Sequence, residues 1–218
     1  MVYTYLKIAL RNIFKKKFYS VINILGLGIG LASFLIIYLY ISDELSYDRH
    51  HREYKNIYRL VNVYDFEGVG ENSASSPFPV AFTMMKEYPG MIRNAVRIFN
   101  FQAPRSFIKN GEHGYNERRF FFADSTFFSI FDHRFIRGNP ETALDEQFSV
   151  VITESTARKY FRGEDPIGRT LNFEDRFDLR VTAVIEDVPT QSHFHFDFMA
   201  SLSSVRAFYG GRLPRTWV

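Results

Sequence analysis

The sequence contains no cysteine, and this absence excludes disulfides, thiolate chemistry and a lipid-modified cysteine. It also lacks the Gly-x-Ser-x-Gly turn that presents a nucleophilic serine and the His-Glu-x-x-His pattern of a zinc helix. Paired carboxylates in a recognisable catalytic motif are missing as well. The sequence therefore gives no support to an enzyme, and we predict no catalytic residue, no cofactor and no metal.

Charge is absent from residues 18–42, a run that begins with Phe18 and ends with Ser42. A hydrocarbon core of about 30 Å needs roughly 20 apolar helical residues, so this run is long enough to cross a bilayer. The alternatives are a buried helix of a soluble protein and a cleavable signal peptide. Soluble helices rarely run this long without a polar stripe, and a signal peptide has a shorter apolar region that ends at small residues. We therefore predict a transmembrane helix at 18–42.

Acidic residues are absent from the first 42 positions, which hold five basic ones: Lys7, Arg11, Lys15, Lys16 and Lys17. The positive-inside rule keeps such a segment in the cytoplasm. Residues 1–17 are predicted to be a cytoplasmic amphipathic segment at the lipid surface, with an extension of the membrane helix as the alternative. Of the 27 basic residues, 22 remain after position 42 against 24 acidic ones, so nucleic-acid binding is not implied.

Small and polar residues mark one face of the predicted membrane helix. Gly26 and Gly30 form a GxxxG pattern, and Asn23 and Ser33 fall on the same face. In lipid, small residues let helix backbones approach closely, and an amide or hydroxyl on that face bonds across the contact. These four residues are predicted to pack against a partner helix. The alternative is incidental glycine, which is common in membrane helices.

Residues 43–218 alternate between strand-like and helix-like patterns. Residues 56–66 are rich in β-branched and aromatic residues and predict a strand, and residues 68–77 predict a loop. A helix is predicted at 77–88 with Ser76 as its cap, and another from Glu154 to Phe161 with Gly163 just beyond it. The predicted fold class is α+β: an N-terminal transmembrane helix followed by a mixed α/β extracytoplasmic domain.

Two patterns look like binding sites. Residues 163–170, GEDPIGRT, fit a phosphate-binding loop except at Arg169, but a predicted helix precedes them and a strand follows, the reverse of the required order. His193, His195 and Asp197 alternate with phenylalanines, so a strand would place them on one face and a metal site is conceivable. We prefer an amphipathic strand with its rings buried.

His50 and His51 lie in a charged stretch and are predicted to be solvated rather than ligands.

Five blocks in one order carry a family resemblance: LKIALRNIFKKKFYSVINILGLGIGLA, ISDELSYDRHHREYKNIYRL, FFADSTFFSIFDHRFIRGNPETAL, VVITESTARKYFRGEDPIGRTL and VTAVIEDVPTQSHFHFDFMASL. They resemble the MacB-like, FtsX-related permease subunits of ABC transporters. The resemblance implies that residues 43–218 are a periplasmic MacB-like core domain, with a porter-like part and a second mixed part, held at the cell inner membrane. It also implies three more membrane helices. Since the sequence ends before them, we expect a fragment, a truncated reading frame or a cut piece.

The resemblance implies a function as well: the N-terminal portion of a non-catalytic permease subunit that transmits ATP-driven motion to its periplasmic domain, for efflux or for lipoprotein or peptide export. The implied partners are a separate ABC ATPase, a second permease in a dimer and the lipid bilayer, with a periplasmic adaptor as a further candidate. The alternative is a single-span sensor or receptor whose extracytoplasmic domain binds a ligand. Three further apolar spans encoded downstream would favour the permease, and a coiled coil with a signalling domain the receptor.

Overall fold

A computed structural model describes residues 2–66, 69–73, 75–101 and 103–209 of the chain. These residues form two compact units that meet in the sequence between Tyr47 and Asp48. The first unit holds two helices, α1 (Val2–Lys15) and α2 (Lys17–Glu44), with Lys16 as a turn between them. Among the described residues, α2 is the one helix long and apolar enough to cross a membrane, by length and composition. It contains the whole of the predicted span.

The second unit contains two sheets. Two strands, β1 (Asn62–Phe66) and β2 (Val69–Ser73), form an antiparallel pair. The other sheet has nine strands: β3 (Ile98–Phe99), β4 (Ser106–Asn110), β5 (His113–Glu117), β6 (Phe120–Ala123), β7 (Phe135–Arg137), β8 (Ser149–Thr153), β9 (Thr170–Phe173), β10 (Phe177–Ile185) and β11 (Phe198–Ser201). The helices described in the second unit are α3 (Val80–Glu87), α4 (Phe127–Ile130), α5 (Glu154–Phe161) and α6 (Val205–Phe208). The same unit has 3-10 turns at Tyr54–Asn56 and Leu202–Ser204.

The nine-stranded sheet is mixed, as the α+β prediction requires. Its strand order is β3-β6-β11-β8-β10-β9-β4-β5, and β7 pairs with β10. β8 runs parallel to β10 and β6 runs parallel to β11, while the other pairs are antiparallel. The described residues after Tyr47 form one compact unit, and the division into a porter-like part and a second mixed part stays a prediction.

Both faces of the sheet are covered by apolar side chains, which explains why the central strands are almost continuously hydrophobic. In β8, Val150 and Ile152 join one core layer and Val151 joins the other, as strand alternation requires. The first layer includes Phe122 and Phe198 and is covered by α5 and α6. The second layer lies under α4 and includes Phe127, Phe128, Phe196 and Met199. The second layer supports the site described below.

Helix α5 confirms its sequence prediction at both ends. The Thr153 hydroxyl accepts a hydrogen bond from the Thr156 amide and caps the first turn, and the helix spans Glu154–Phe161 as predicted. At the other end Arg162 adopts a left-handed conformation with φ of 51°, and Gly163 follows with φ of 94°. Gly163 was predicted to follow the end of this helix, and Thr153 is a cap that the sequence analysis did not name.

Four other predicted boundaries are wrong. The strand predicted at 56–66 begins only at Asn62, and Asn56 lies in a 3-10 turn. Residues 69–73 form β2 rather than a loop, because pairing with β1 supplies hydrogen bonds that their own weak strand propensity does not predict. Helix α3 begins at Val80 rather than at residue 77, and Ser76 does not cap it, since a residue before proline avoids helical geometry and Phe78 precedes Pro79. The last strand begins at Phe198, so residues 193–197 are not a strand.

Candidate functional site

The first segment of the second unit, Asp48–Ile57, is hydrogen-bonded to two loops of the sheet domain, residues 131–134 and 191–194. We call residues 48–57 the connector, because they follow α2 and lead into the sheet domain. The contacts of the connector with these two loops form the connector site.

Asp48 joins the connector to the loop at 191–194. Its backbone N–H donates to the Gln191 carbonyl at 2.9 Å, and its Oδ1 accepts from the Ser192 hydroxyl and from the His193 amide at 3.3 and 3.1 Å. Its Oδ2 lies 2.8 Å from Nδ1 of His193. Partial burial acts to raise the pKa of the Asp48 carboxyl, but the hydrogen bonds and charge of His193 outweigh it and hold that pKa below its ordinary value.

The backbone of Asp48 is left-handed, with φ of 57°. Residues other than glycine seldom adopt this conformation, although aspartate tolerates it better than most. The left-handed turn accompanies the three side-chain hydrogen bonds to Ser192 and His193. Outliers of this kind persist where the surrounding structure fixes them, so the geometry at Asp48 depends on its contacts.

Asp132 joins the connector to the second loop. Its carboxylate accepts from the Arg52 backbone N–H at 2.7 Å and from Arg52 Nε at 2.9 Å. Its own backbone N–H donates to Nδ1 of His51 at 3.0 Å. Burial acts to raise the pKa of Asp132, but Arg52 outweighs it, so that pKa lies below its ordinary value. The Arg52 side chain is 88% exposed, so this ion pair positions the connector more than it stabilises it.

Four of the six histidines of the chain gather at the connector site: His50, His51, His133 and His193. The rings of His50 and His51 lie 3.9 Å apart between centroids, and the ring of His133 lies 5.9 Å from that of His51. His51 is only 5% exposed, and its burial, followed by the charge of His50, lowers its pKa. Burial lowers the pKa of His133 to about 3, so its ring is neutral at pH 7.

The prediction that His50 and His51 are solvated is therefore wrong for His51, which is buried. It is also wrong for one atom of His50, since Nε2 is buried and has no hydrogen-bond partner. The charged neighbours in the sequence suggested solvent exposure, but the aromatic ring of Phe131 lies against His51 at 5.3 Å and excludes water from it. Long-range packing decided the environment of both histidines.

Aromatic side chains form the base of the connector site. The Phe127 ring of α4 is stacked on His133 at 5.9 Å, with an interplanar angle of 13°, and meets Phe131 at 4.9 Å. Phe196 packs edge-on against both Phe127 and His133. A small cavity of about 100 Å³ remains among the connector, Phe131, His133 and the loop at 191–194. The site is therefore a packed junction more than an open pocket.

A second cavity of about 180 Å³ lies beside Arg97. The Arg97 guanidinium forms two hydrogen bonds with Asp124, of 2.9 and 2.7 Å, and lies over the ring of Phe82 at 4.4 Å. The positive charge is thus already neutralised by a protein carboxylate. This arrangement ties α3 to the end of β6 and does not favour an anionic ligand.

The residues predicted for helix packing lie elsewhere, on α2. Asn23, Gly26, Gly30 and Ser33 are exposed, and a Cβ built on either glycine would meet nothing within 4 Å. The described residues thus leave this face open for another helix. Whether a partner helix occupies it stays a prediction.

The HFHFD pattern does not assemble into the metal site that a strand would have made. His193 bonds to Asp48, whereas Asp197 uses its backbone to pair with Arg119 and Thr153. Burial raises the pKa of the Asp197 carboxyl above its ordinary value. Across the part of the chain that the structure describes, the group of residues able to hold a metal is instead Asp48, His50 and His51.

The loop at 163–170 connects α5 to β9, in the reverse order of a phosphate-binding loop. Four of its backbone amides already donate within the chain: those of Glu164, Ile167, Gly168 and Arg169. The Arg169 guanidinium is paired with the Glu164 carboxylate. The reversed order of helix and strand agrees with the sequence, and these four donors are not available to a phosphate.

The family described as the MacB-like periplasmic core domain matches residues 20–218. One solved structure that the chain resembles is a domain of a protein described as a permease from Porphyromonas gingivalis, with 21% identity, a TM-score of 0.56 and coverage of 68% of this chain and 62% of that one. Another is the periplasmic region of MacB from Actinobacillus actinomycetemcomitans, with 18% identity, a TM-score of 0.49 and coverage of 63% and 60%.

The extracellular domain of the noncanonic ABC-type transporter YknZ from Gram-positive bacteria is also similar, with 12% identity, a TM-score of 0.38 and coverage of 53% and 56%. The chain thus spans about three fifths of the length of the structures it matches. Curated protein sequences give no match. At these identities the likeness to the P. gingivalis domain supports the fold of the sheet domain.

Proposed function

The chain belongs to the family of the MacB-like periplasmic core domain, and from this membership we propose that it is the N-terminal portion of a non-catalytic permease subunit of an ABC transporter. The observation that carries the proposal is the family match over residues 20–218, which takes in α2 and the sheet domain together. A separate ATPase in the cytoplasm would supply the motion, and a second permease subunit would complete a dimer. The transported cargo would be a drug, a peptide or a lipoprotein.

The connector site supports a mechanical role for the sheet domain. Hydrogen bonds that involve Asp48, His51 and Arg52 fix the connector to two separate loops, so a displacement of the connector would pull on both. The two cavities, of about 100 and 180 Å³, are smaller than the roughly 300 Å³ at which small-molecule pockets begin. Neither of these two cavities therefore favours a small-molecule receptor, which supports the transmitter. ATP-dependent transport by the assembled complex is the measurement that tests it, and loosening the connector should lower that transport.

We further propose that α2 spans the inner membrane with its N-terminus in the cytoplasm. The five basic residues before the span and the absence of acidic ones support this orientation. Alkaline phosphatase fused after Leu60 should therefore be active, and a fluorescent protein that folds only in the cytoplasm should be dark at the same position. Fusions after Lys16 should give the reverse pattern. A cytoplasmic readout for the Leu60 fusion would overturn the orientation.

The helix-packing proposal concerns Gly26 and Gly30 of α2. Replacing both with leucine should weaken assembly with a partner helix by about 1–2 kcal/mol, because close backbone approach needs small side chains. The chain has no cysteine, so Ile37→Cys, one turn beyond Ser33 on the same face, gives a single site for a benzophenone photo-crosslinker. The measurement is the yield of cross-linked partner in membranes that contain the assembled complex.

Gly28 supplies a matched control for this experiment. It lies on the opposite side of α2 from the four predicted residues, and a Cβ there would also meet nothing within 4 Å. Gly28→Leu should leave the cross-linking yield unchanged. Equal yields from Gly28→Leu and from the double variant would mean that the predicted face contacts lipid.

A further inference from the structure

We propose that Asp48, His50 and His51 form a binding site for one divalent cation of the zinc type. The ligand atoms that these residues offer, one carboxylate oxygen and one ring nitrogen from each histidine, all lie within 4.8 Å of one another. Ligands of a tetrahedral zinc ion lie about 2.0–2.2 Å from the metal. Small side-chain rotations would therefore bring the three atoms to bonding distance. The proposal is independent of the transport role.

The unsatisfied nitrogen of His50 is the second observation that points to a ligand. Its Nε2 is buried and has no hydrogen-bond partner. A buried polar atom without a partner costs about 1–3 kcal/mol, and such atoms in native proteins are rare. Coordination of a metal ion through this lone pair would remove that cost. His50 is therefore the ligand to which the geometry points most directly.

The carboxylate of Asp48 is already oriented by a neighbouring histidine. The Nδ1 of His193 lies 2.8 Å from Oδ2 of Asp48, and the His193 amide bonds to Oδ1. Hydrogen bonds of this kind to a ligating carboxylate fix its direction in metal sites. His193 would thus act as a positioning residue for Asp48 rather than as a ligand.

His51 is the adjustable ligand. Its Nδ1 accepts the backbone N–H of Asp132 at 3.0 Å, so binding of a metal through Nδ1 would replace that hydrogen bond. The ring of His133 lies 6.4 Å from that of His50 and 5.9 Å from that of His51 between centroids, so it is near enough to compete with water for a fourth coordination position. Water or His133 would occupy that position.

The donor set selects the class of metal. Two imidazoles and one carboxylate, without a thiolate, suit Zn²⁺, Ni²⁺ or Cu²⁺. Magnesium and calcium prefer sites made entirely of oxygen ligands. Zn²⁺ is therefore the probe of choice, and Co²⁺ is a spectroscopic substitute for it.

The test is an isothermal calorimetric titration, in which Zn²⁺ alone is added to the full chain in detergent micelles. We expect one ion per chain, and at least about tenfold weaker binding in His50→Ala and in Asp48→Asn, since each removes one of three ligands. Co²⁺ should give the intense visible absorption of a tetrahedral site in the unchanged chain and lose it in His50→Ala. His193→Ala should weaken Zn²⁺ binding by roughly 10-fold or more, because it removes the ring nitrogen that orients the Asp48 carboxylate.

His113→Ala and His195→Ala are the matched controls, because both remove an imidazole outside the proposed ligand set. Both should bind Zn²⁺ as the unchanged chain does. Circular dichroism without metal checks that each variant is folded, and His50→Gln replaces His50→Ala if the latter unfolds. Absence of saturable Zn²⁺ binding, or binding that survives both His50→Ala and Asp48→Asn, would overturn the proposal.

Discussion

Replacing Phe127 with alanine should lower the free energy of unfolding of the sheet domain by about 3–5 kcal/mol, the usual cost of removing a fully buried phenyl ring. The Phe127 side chain is completely buried. Its ring meets Phe131 at 4.9 Å and Phe196 at 5.6 Å, and is stacked on His133. These neighbours come from two loops and cannot collapse easily into the space that the ring would leave, so a cavity adds to the loss of hydrophobic burial.

Urea denaturation of the full chain in micelles measures this loss, with the circular dichroism of the sheet as the signal. Tyr58→Ala is the control, since Tyr58 is 84% exposed and its replacement should change the free energy of unfolding by no more than about 0.5 kcal/mol. Phe127→Ala should also speed hydrogen exchange at the Asp132 amide, whose acceptor, His51, lies on the same aromatic base. A loss below about 1 kcal/mol would show that the site repacks without a cavity.

Elements with local signals were predictable from the sequence. The charge-free run predicted α2 because a membrane requires length and apolar character, both of which can be read from neighbouring residues. Helix α5 was predictable because Thr153 and Gly163 mark its two ends. The mixed sheet followed from strand-like segments that alternate with helices. Each of these predictions depended on residues close together in the chain.

The connector site could not be predicted in this way. Asp48 and His193 are 145 positions apart, and His51 and Asp132 are 81 apart, so no periodic pattern links them. Strand alternation suggested that His193 would share a face with His195, whereas His193 bonds to Asp48 and the strand begins only at Phe198. Tertiary contacts overrode the local pattern at these histidines.

Under the proposed function, a flexible glycine-serine linker inserted between Tyr47 and Asp48 should uncouple ATP hydrolysis from transport in a complex of the permease with an ATPase. This position separates the two units of the chain. It preserves the end of α2, where the Leu45 and Ser46 amides bond to Ile41 and Asp43, and it preserves every contact of the connector. A linker of this composition behaves as a random coil and cannot transmit a directed displacement. Transport should fall by about tenfold or more, while ATP hydrolysis stays within about twofold of its original rate.

The same linker inserted between Gly111 and Glu112 controls for the insertion itself, because that exposed turn joins β4 to β5 away from the connector. Exposed hairpin turns tolerate added residues, so transport should be retained there. Arg52→Ala should fall between the two insertions, since it loosens one of the two anchored loops and leaves the Asp48 contacts in place. Undiminished transport with the linker at Tyr47 would mean that the sheet domain does not receive motion through the connector, and the sensor or receptor interpretation would then be preferred. A rigid connection predicts this graded order, because the linker at Tyr47 interrupts the path to the sheet, Arg52→Ala loosens one of its two attachments and the hairpin insertion leaves it intact.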